Sequence, residues 1–188
     1  MDVKEAINKR RAYRSLEPIP ISKDLIKDLA NSASLSASCF NYQPWRFVFV
    51  YEEKKLKEMY SALSKGNEWA KNASMIVAVF SKKDFDCVVK EREYYLFDTG
   101  MAVALMLLRA MELGLVAHPI AGFDEAKTKE ILNIPDEMTV ITLIIVGKHS
   151  EEIKDELSEK QAEIEKKRPK RKDLNEFAWM NSYTGLAN

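Results

Sequence analysis

Cysteine is scarce in this chain: only Cys39 and Cys87 are present, far apart and in no Cys-x-x-Cys pattern. That scarcity argues against a disulfide scaffold and against a thiolate zinc site, and it suits a reducing, cytoplasmic compartment. Neither sign of charge is in excess. The 29 basic and 29 acidic side chains cancel, which removes the electrostatic footprint expected of a nucleic-acid binder. Long apolar runs are missing too, and none approaches the ~20 residues that a membrane-spanning helix needs. The first residues, Met-Asp-Val-Lys-Glu-Ala, are charged where a secretory signal would be apolar. No spacing of His, Cys and carboxylates reads as a metal site, and His118, beside Pro119, reads as structural. No internal repeat is visible. A length of 188 residues fits one domain spanning 1–188, with 150–188 as a charged segment and C-terminal arm.

What is there is organised around Ser36-Ala37-Ser38-Cys39-Phe40-Asn41-Tyr42-Gln43-Pro44-Trp45-Arg46-Phe47. Small and hydroxylated residues come first, then two amides, Asn41 and Gln43. Pro44 stops any helix. From Trp45 to Tyr51 the aromatic and β-branched residues predict a buried strand. Two readings stand side by side: an ordinary helix-to-strand connection, or a loop whose small side chains let a flat ligand approach the backbone.

The other elements follow from periodicity. Residues 2–11 predict a short helix that delivers Lys9, Arg10, Arg11 and Arg14. If the helix continued, Arg10 and Arg14 would share a face suited to a phosphate; otherwise they belong to a solvated charged surface. Ser22 caps a helix to about Ser34. Glu52-Glu53 opens another, with Leu56, Met59, Tyr60 and Leu63 as its stripe and Gly66 as its end. Strands are predicted at 75–80 and 138–146, with extended chain at 116–123 and a short helix after Asp124.

Residues 91–113 predict the longest helix, apolar nearly all round from Tyr94 to Leu113 and closed by Gly114. Such a helix must be buried nearly all round. A domain this small rarely surrounds a helix completely, so this one is placed at the interface of a homodimer. Residues 150–167 predict a charged surface helix. The basic run 166–172 is either a solvated tail or a phosphate arm, with Leu174, Phe177 and Trp179 as docking residues.

In this order the segments resemble the nitroreductase family of FMN-dependent oxidoreductases. The resemblance is carried by Lys9-Arg10-Arg11-Ala12-Tyr13-Arg14, the Asn41-x-Gln43-Pro44-Trp45 block, Gly66-Asn67, Asp98-Thr99-Gly100, Pro119-Ile120-Ala121-Gly122 and Arg171-Lys172. It implies an α+β fold, a mostly antiparallel central sheet flanked by helices, in an intertwined homodimer with FMN at the subunit interface. It also implies that Arg10 and Arg171, aided by Arg11 and Lys172, hold the flavin phosphate. Ala12 stands where the family often has serine. Arg14 matches a cation near the flavin N1–O2 edge, where it would favour the reduced, negatively charged flavin. Ser38, Cys39, Asn41 and Gln43 match the loop lining the cofactor, often supplied by the partner. Asn67 matches an amide pairing with the N3–O4 edge. Pro119, Ile120, Ala121 and Gly122 match the segment whose backbone approaches N5.

The chemistry implied is hydride transfer from NADH or NADPH through flavin N5 to an electron-poor small molecule, in ping-pong order. No side-chain acid or base is required. Phe40, Tyr42 and Trp69 are candidate pocket aromatics. The sequence departs from larger relatives in its short 81–92 connection and its long 150–167 segment, so the acceptor stays open. The alternative from another class is a flavin-binding module without turnover, such as a redox sensor or a partner subunit; a second enzymatic alternative is a specialised relative such as a dehalogenase.

Overall fold

The computed structural model describes residues 1–183. Its elements are α1 (Val3–Lys9), β1 (Leu16–Glu17), α2 (Lys23–Ser34), β2 (Arg46–Val50), α3 (Glu53–Met59), β3 (Met75–Ser81), β4 (Val88–Val89), β5 (Arg92–Glu93), α4 (Tyr95–Glu112), β6 (Val116–Ile120), α5 (Glu125–Leu132), β7 (Thr139–His149) and α6 (Glu159–Lys166). One sheet runs β1-β7-β3-β2, with β6 also on β7, and every pairing in it is antiparallel. The expected α+β architecture with an antiparallel sheet is therefore present.

Strands β3 and β7 are buried on both faces, which is why both are continuous apolar runs rather than alternating ones. Their side chains divide by the period of two. Ile76, Ala78, Leu143 and Ile145 pack with Leu56, Met59 and Trp69 on one side. Met75, Val77, Val79, Ile144 and Val146 pack with Leu29, Ala33, Ala102, Met106 and Ala110 from α2 and α4 on the other. Local chemistry starts the helices. Asp2, Ser22 and Asp124 each accept a first-turn N–H, and Ser158 and Gln161 form a reciprocal capping box. Gly114 (φ +75°) closes α4 in the left-handed region, as expected of a glycine there.

Several boundaries differ from the sequence reading. Helix α1 ends at Lys9, and Arg10 has φ −55° and ψ 122°. Arg10 and Arg14 therefore lie on extended chain, not on one helix face. Helix α3 ends at Met59, well before Gly66, and a 3-10 turn carries Tyr60–Ala62. The long helix begins at Tyr95 rather than 91, because β4 and β5 form a small hairpin that Tyr94 closes by donating its N–H to the Cys87 carbonyl. In segment 150–167 only Glu159–Lys166 is helical, since the capping box at Ser158 sets the start. Helix α4 is covered on one side only: Asp98, Thr99, Ala102, Val103, Met106 and Ala110 are buried, while Leu96, Phe97 and Leu105 are exposed. Leu174, Phe177 and Trp179, expected to dock, lie exposed on this chain.

The cysteines require the largest correction. Cys39 and Cys87 are joined as a disulfide, with Cα atoms 6.1 Å apart. Sequence distance had argued against it, but the hairpin returns Cys87 to the loop that carries Cys39. Among the described residues no helix is long and apolar enough to cross a membrane.

Candidate functional site

The extended segment Arg10–Ser15 crosses the chain end near α6, and the two are stitched together by charge. Glu165 is buried. Its carboxylate accepts the backbone N–H of Arg14 at 2.8 Å and of Ser15 at 3.2 Å. Arg11 donates to the carbonyls of Ile164 and Glu165. Arg168 donates to the carbonyls of Asn8 at 2.6 Å and Arg10 at 2.9 Å. These bonds consume Arg11 and Arg168 as struts. Glu165 escaped the sequence reading, because a glutamate in a charged helix carries no local signal, and Arg168 entered it only as one member of the basic run 166–172, not as a strut.

Between the struts lies a cleft of about 210 Å³, lined by Arg10, Arg11, Ala12, Arg14, Arg168 and Arg171 among others. Among the described residues no carboxylate forms an ion pair with Arg10, Arg14 or Arg171. Burial first, and then the charges of Arg168 and Arg171, lower the pKa of Arg10. Burial likewise lowers that of Arg14, against the favourable charge of Glu165. The Arg14 Nη1 is buried and has no hydrogen-bond partner. Converging guanidiniums with an unsatisfied buried donor are costly alone and are relieved by an anion. Lys172, expected to help Arg171, does not line this cleft.

Beneath Arg14 lies a stacked pair. Its guanidinium carbon is 5.8 Å from the Trp69 ring centre, and Trp69 stacks on His118 at 4.8 Å. His118 is buried, and its Nδ1 lies 3.0 Å from the Tyr13 carbonyl, so that nitrogen carries the proton. Burial pushes the His118 pKa down to about 4, with Arg14 and Arg10 adding to the effect and the Tyr13 carbonyl opposing it. Trp69 is thus a core support, while Phe40 and Tyr42 are exposed.

The segment after β6 is held by Asn67. Its Nδ2 donates to the Gly122 carbonyl at 2.9 Å, and its Oδ1 accepts from Trp69 Nε1 at 3.2 Å. A Cβ on Gly122 would sit 2.5 Å from that Nδ2, so any larger residue there would have to displace the Asn67 amide that holds the segment. Pro119 pairs opposite Ile144 and Ile120 opposite Leu143 in the sheet. Ala121 is exposed just beyond it.

The loop 38–43 is backbone-strained. Phe40, Asn41 and Gln43 have φ of 48°, 59° and 51°, a region comfortable for asparagine but costly for the other two. It is held by tertiary bonds. Cys39 N–H donates to Asp98 Oδ2 at 2.6 Å, Gln43 N–H donates to Ser38 Oγ at 3.0 Å, and Ser81 Oγ donates to the Pro44 carbonyl at 2.8 Å. Asp98, buried in the first turn of α4, enters the sequence reading as part of the Asp98-Thr99-Gly100 run that carries the resemblance, with no role of its own assigned. Ser38, Cys39, Asn41 and Gln43 do not line the arginine cleft of this chain.

The model of the nitroreductase family matches residues 7–74 and 62–148. The chain is 25% identical over 208 residues to "Putative NAD(P)H nitroreductase MhqN" of Bacillus subtilis (strain 168), across 91% of this chain and 95% of that protein. It superposes with a TM-score of 0.84 on a crystal structure described as "the oxidoreductase containing FMN", at 29% identity, covering 98% of this chain and 94% of that one. A nitroreductase family protein from Clostridium novyi NT gives a TM-score of 0.74 at 28% identity, over 80% and 87% of the two chains.

Proposed function

This chain belongs to the nitroreductase family, and on that premise we propose that it is an FMN-dependent oxidoreductase using NADH or NADPH to reduce an electron-poor small molecule such as a quinone or nitroaromatic. The observation that carries the reading is the arginine cleft with its unpartnered, buried Arg14 Nη1. Its donor set fits the flavin's phosphate and the negative charge of a reduced isoalloxazine, and the similar oxidoreductase contains FMN.

When bound, FMN supplies two-electron hydride acceptance and donation. The protein's part is binding and electrostatics. Arg10 and Arg171 would hold the phosphate, and Arg11 and Arg168 keep the backbone beside that cleft in place. Arg14 offers its free N–H to the flavin edge that becomes anionic, a donor fixed in advance by Glu165 and Trp69. Asn67 braces the Gly122 end of the 119–122 segment, whose backbone N–H groups beyond Pro119 would be offered to the flavin. Nicotinamide and acceptor would use the bound cofactor in turn, and no side chain of this chain is asked to move a proton.

The site is completed by a second copy of the chain. The exposed Leu96, Phe97 and Leu105 of α4, with an apolar cleft that includes Val3, Leu35, Leu105 and Leu108, form an uncovered face. The exposed Leu174, Phe177 and Met180 suit an arm laid on a partner. In such a homodimer the partner's copy of loop 38–43 would help to hold the flavin.

The experiment is the visible spectrum of the purified protein. Flavin bands that bleach with NADH or NADPH and return on adding a quinone support the reading, as does a dimer in sedimentation. A colourless protein that does not take up added FMN, or a flavin-loaded monomer, overturns the corresponding part.

A further inference from the structure

Asp86 is not explained by the flavin site. It is buried at 8% exposure, and its Oδ2 has no hydrogen-bond partner. Its Oδ1 accepts the Cys87 N–H at 2.8 Å. The neighbouring carboxylate is Asp98, also buried. Among the described residues no lysine or arginine forms an ion pair with either. Two adjacent buried carboxylates repel each other, so they need a proton or a cation. Next to them lie two sulfurs: the ligand atoms of Cys39, Asp86 and Cys87 are all within 4.8 Å of one another.

We propose that, when the cysteines are reduced, Cys39 Sγ, Cys87 Sγ and Asp86 Oδ2 form a binding site for a thiophilic divalent cation of the zinc type. Two thiolates and a carboxylate are a suitable tetrahedral set, with Zn–S near ~2.3 Å and Zn–O near ~2.0–2.2 Å. Two sulfurs bound to one such ion stand about 3.8 Å apart by that geometry, so once the bond is reduced the two sulfurs part to take the ion between them. Cys39 and Cys87 are only half-buried, which leaves the fourth position to water. Magnesium and calcium are disfavoured, since they demand six or more oxygen ligands. The ion would neutralise the Asp86–Asp98 pair, and the unpartnered Oδ2 would gain its partner.

The structure holds the competing state, in which the sulfurs are bonded to each other. Reduction by a small thiol gives two protein thiols and the oxidised small disulfide. Metal binding then displaces the two thiol protons. A disulfide offers no thiolate, so bond and ion exclude each other. Either one ties the strained loop 38–43 to the hairpin β4–β5.

The test is equilibrium dialysis of the full-length protein against zinc, after reduction with a phosphine or oxidation with diamide, with bound metal counted. Expected are one zinc per chain in the reduced protein and none in the oxidised one, with two sulfur ligands in the zinc K-edge spectrum. Asp86→Asn is expected to weaken binding by at least the roughly ten- to a hundredfold that loss of an outer-shell partner costs, and Cys39→Ser/Cys87→Ser to abolish it. Alkylating both thiols of reduced wild type gives the same readout if the double variant fails to fold. No uptake by reduced wild type, or equal uptake after alkylation, overturns the site. Unchanged affinity in Asp86→Asn removes the carboxylate from the ligand set.

Discussion

Glu165, near the end of the chain, accepts the backbone N–H of Arg14, near its start, at 2.8 Å. With the second bond to Ser15 at 3.2 Å, one buried carboxylate determines where the arginine segment lies. Arg14 and Glu165 are connected through the main chain, so the arginine side chain stays free for a ligand.

Glu165→Ala is expected to destabilise the protein by roughly 2–4 kcal/mol, because two backbone donors lose charged acceptors. Glu165→Gln, which retains one acceptor oxygen, should recover part of that loss. Urea unfolding of the three proteins measures it. Equal stabilities would mean that the segment is held by Arg11 and Arg168 alone.

Gly122→Ala should cost about 1–3 kcal/mol, the range for overpacking, because the new Cβ meets Asn67 Nδ2 at 2.5 Å. Asn67→Ala removes the obstacle. The double variant is therefore expected to lose less than the sum of the single changes in thermal unfolding. Additive losses would place the strain elsewhere.

Arg14→Gln should keep FMN bound yet lower its two-electron midpoint potential. Losing a charge-assisted hydrogen bond of about 1.5–3 kcal/mol made only to the reduced form corresponds to roughly 30–60 mV. Potentiometric titration decides this, and an unchanged potential would put Arg14 away from the flavin ring.

Arg10→Ala and Arg171→Ala should each weaken FMN roughly ten- to a hundredfold, from a charge-assisted bond of about 1.5–3 kcal/mol. Riboflavin, lacking the phosphate, should bind these variants and wild type alike. Lys172→Ala should change neither ligand, since Lys172 is outside the cleft. An equal loss of riboflavin would indicate general damage instead of a lost phosphate contact.

Folding stability should fall as pH drops from about 6.5 towards 4. His118 stays neutral in the folded state down to about 4, whereas the unfolded chain takes up the proton near the usual 6.5. Between those values the unfolded state binds more protons, so stability rises with pH, by roughly 3 kcal/mol across the window. In His118→Gln the slope of unfolding free energy against pH in that window should flatten. An unchanged slope would assign the pH dependence to other groups.

Much of this molecule was determined locally. Ser22, Asp124 and Gly114 mark helix ends because capping involves neighbours only three or four residues away. The unbroken apolar runs of β3 and β7 announce burial on both faces, because any strand covered by helices on both sides must lose its alternation. The Asn41–Trp45 block and the basic segment from Lys9 likewise declared the family by residue type and order alone. Tertiary structure decided whatever depends on residues distant in sequence. Glu165 could not be told from its charged neighbours until the fold set its carboxylate under Arg14. Arg168 and Lys172 are equivalent in a basic run, and only the path of the chain after α6 turns one onto the Arg10 carbonyl and leaves the other outside. Cys39 and Cys87 look unrelated along the chain, yet the β4–β5 hairpin brings their sulfurs together, with Asp86 beside them. The physical reason is one of range: caps and periodicity act within a turn or a strand, whereas ion placement and sulfur pairing are set by which distant segments the core brings into contact.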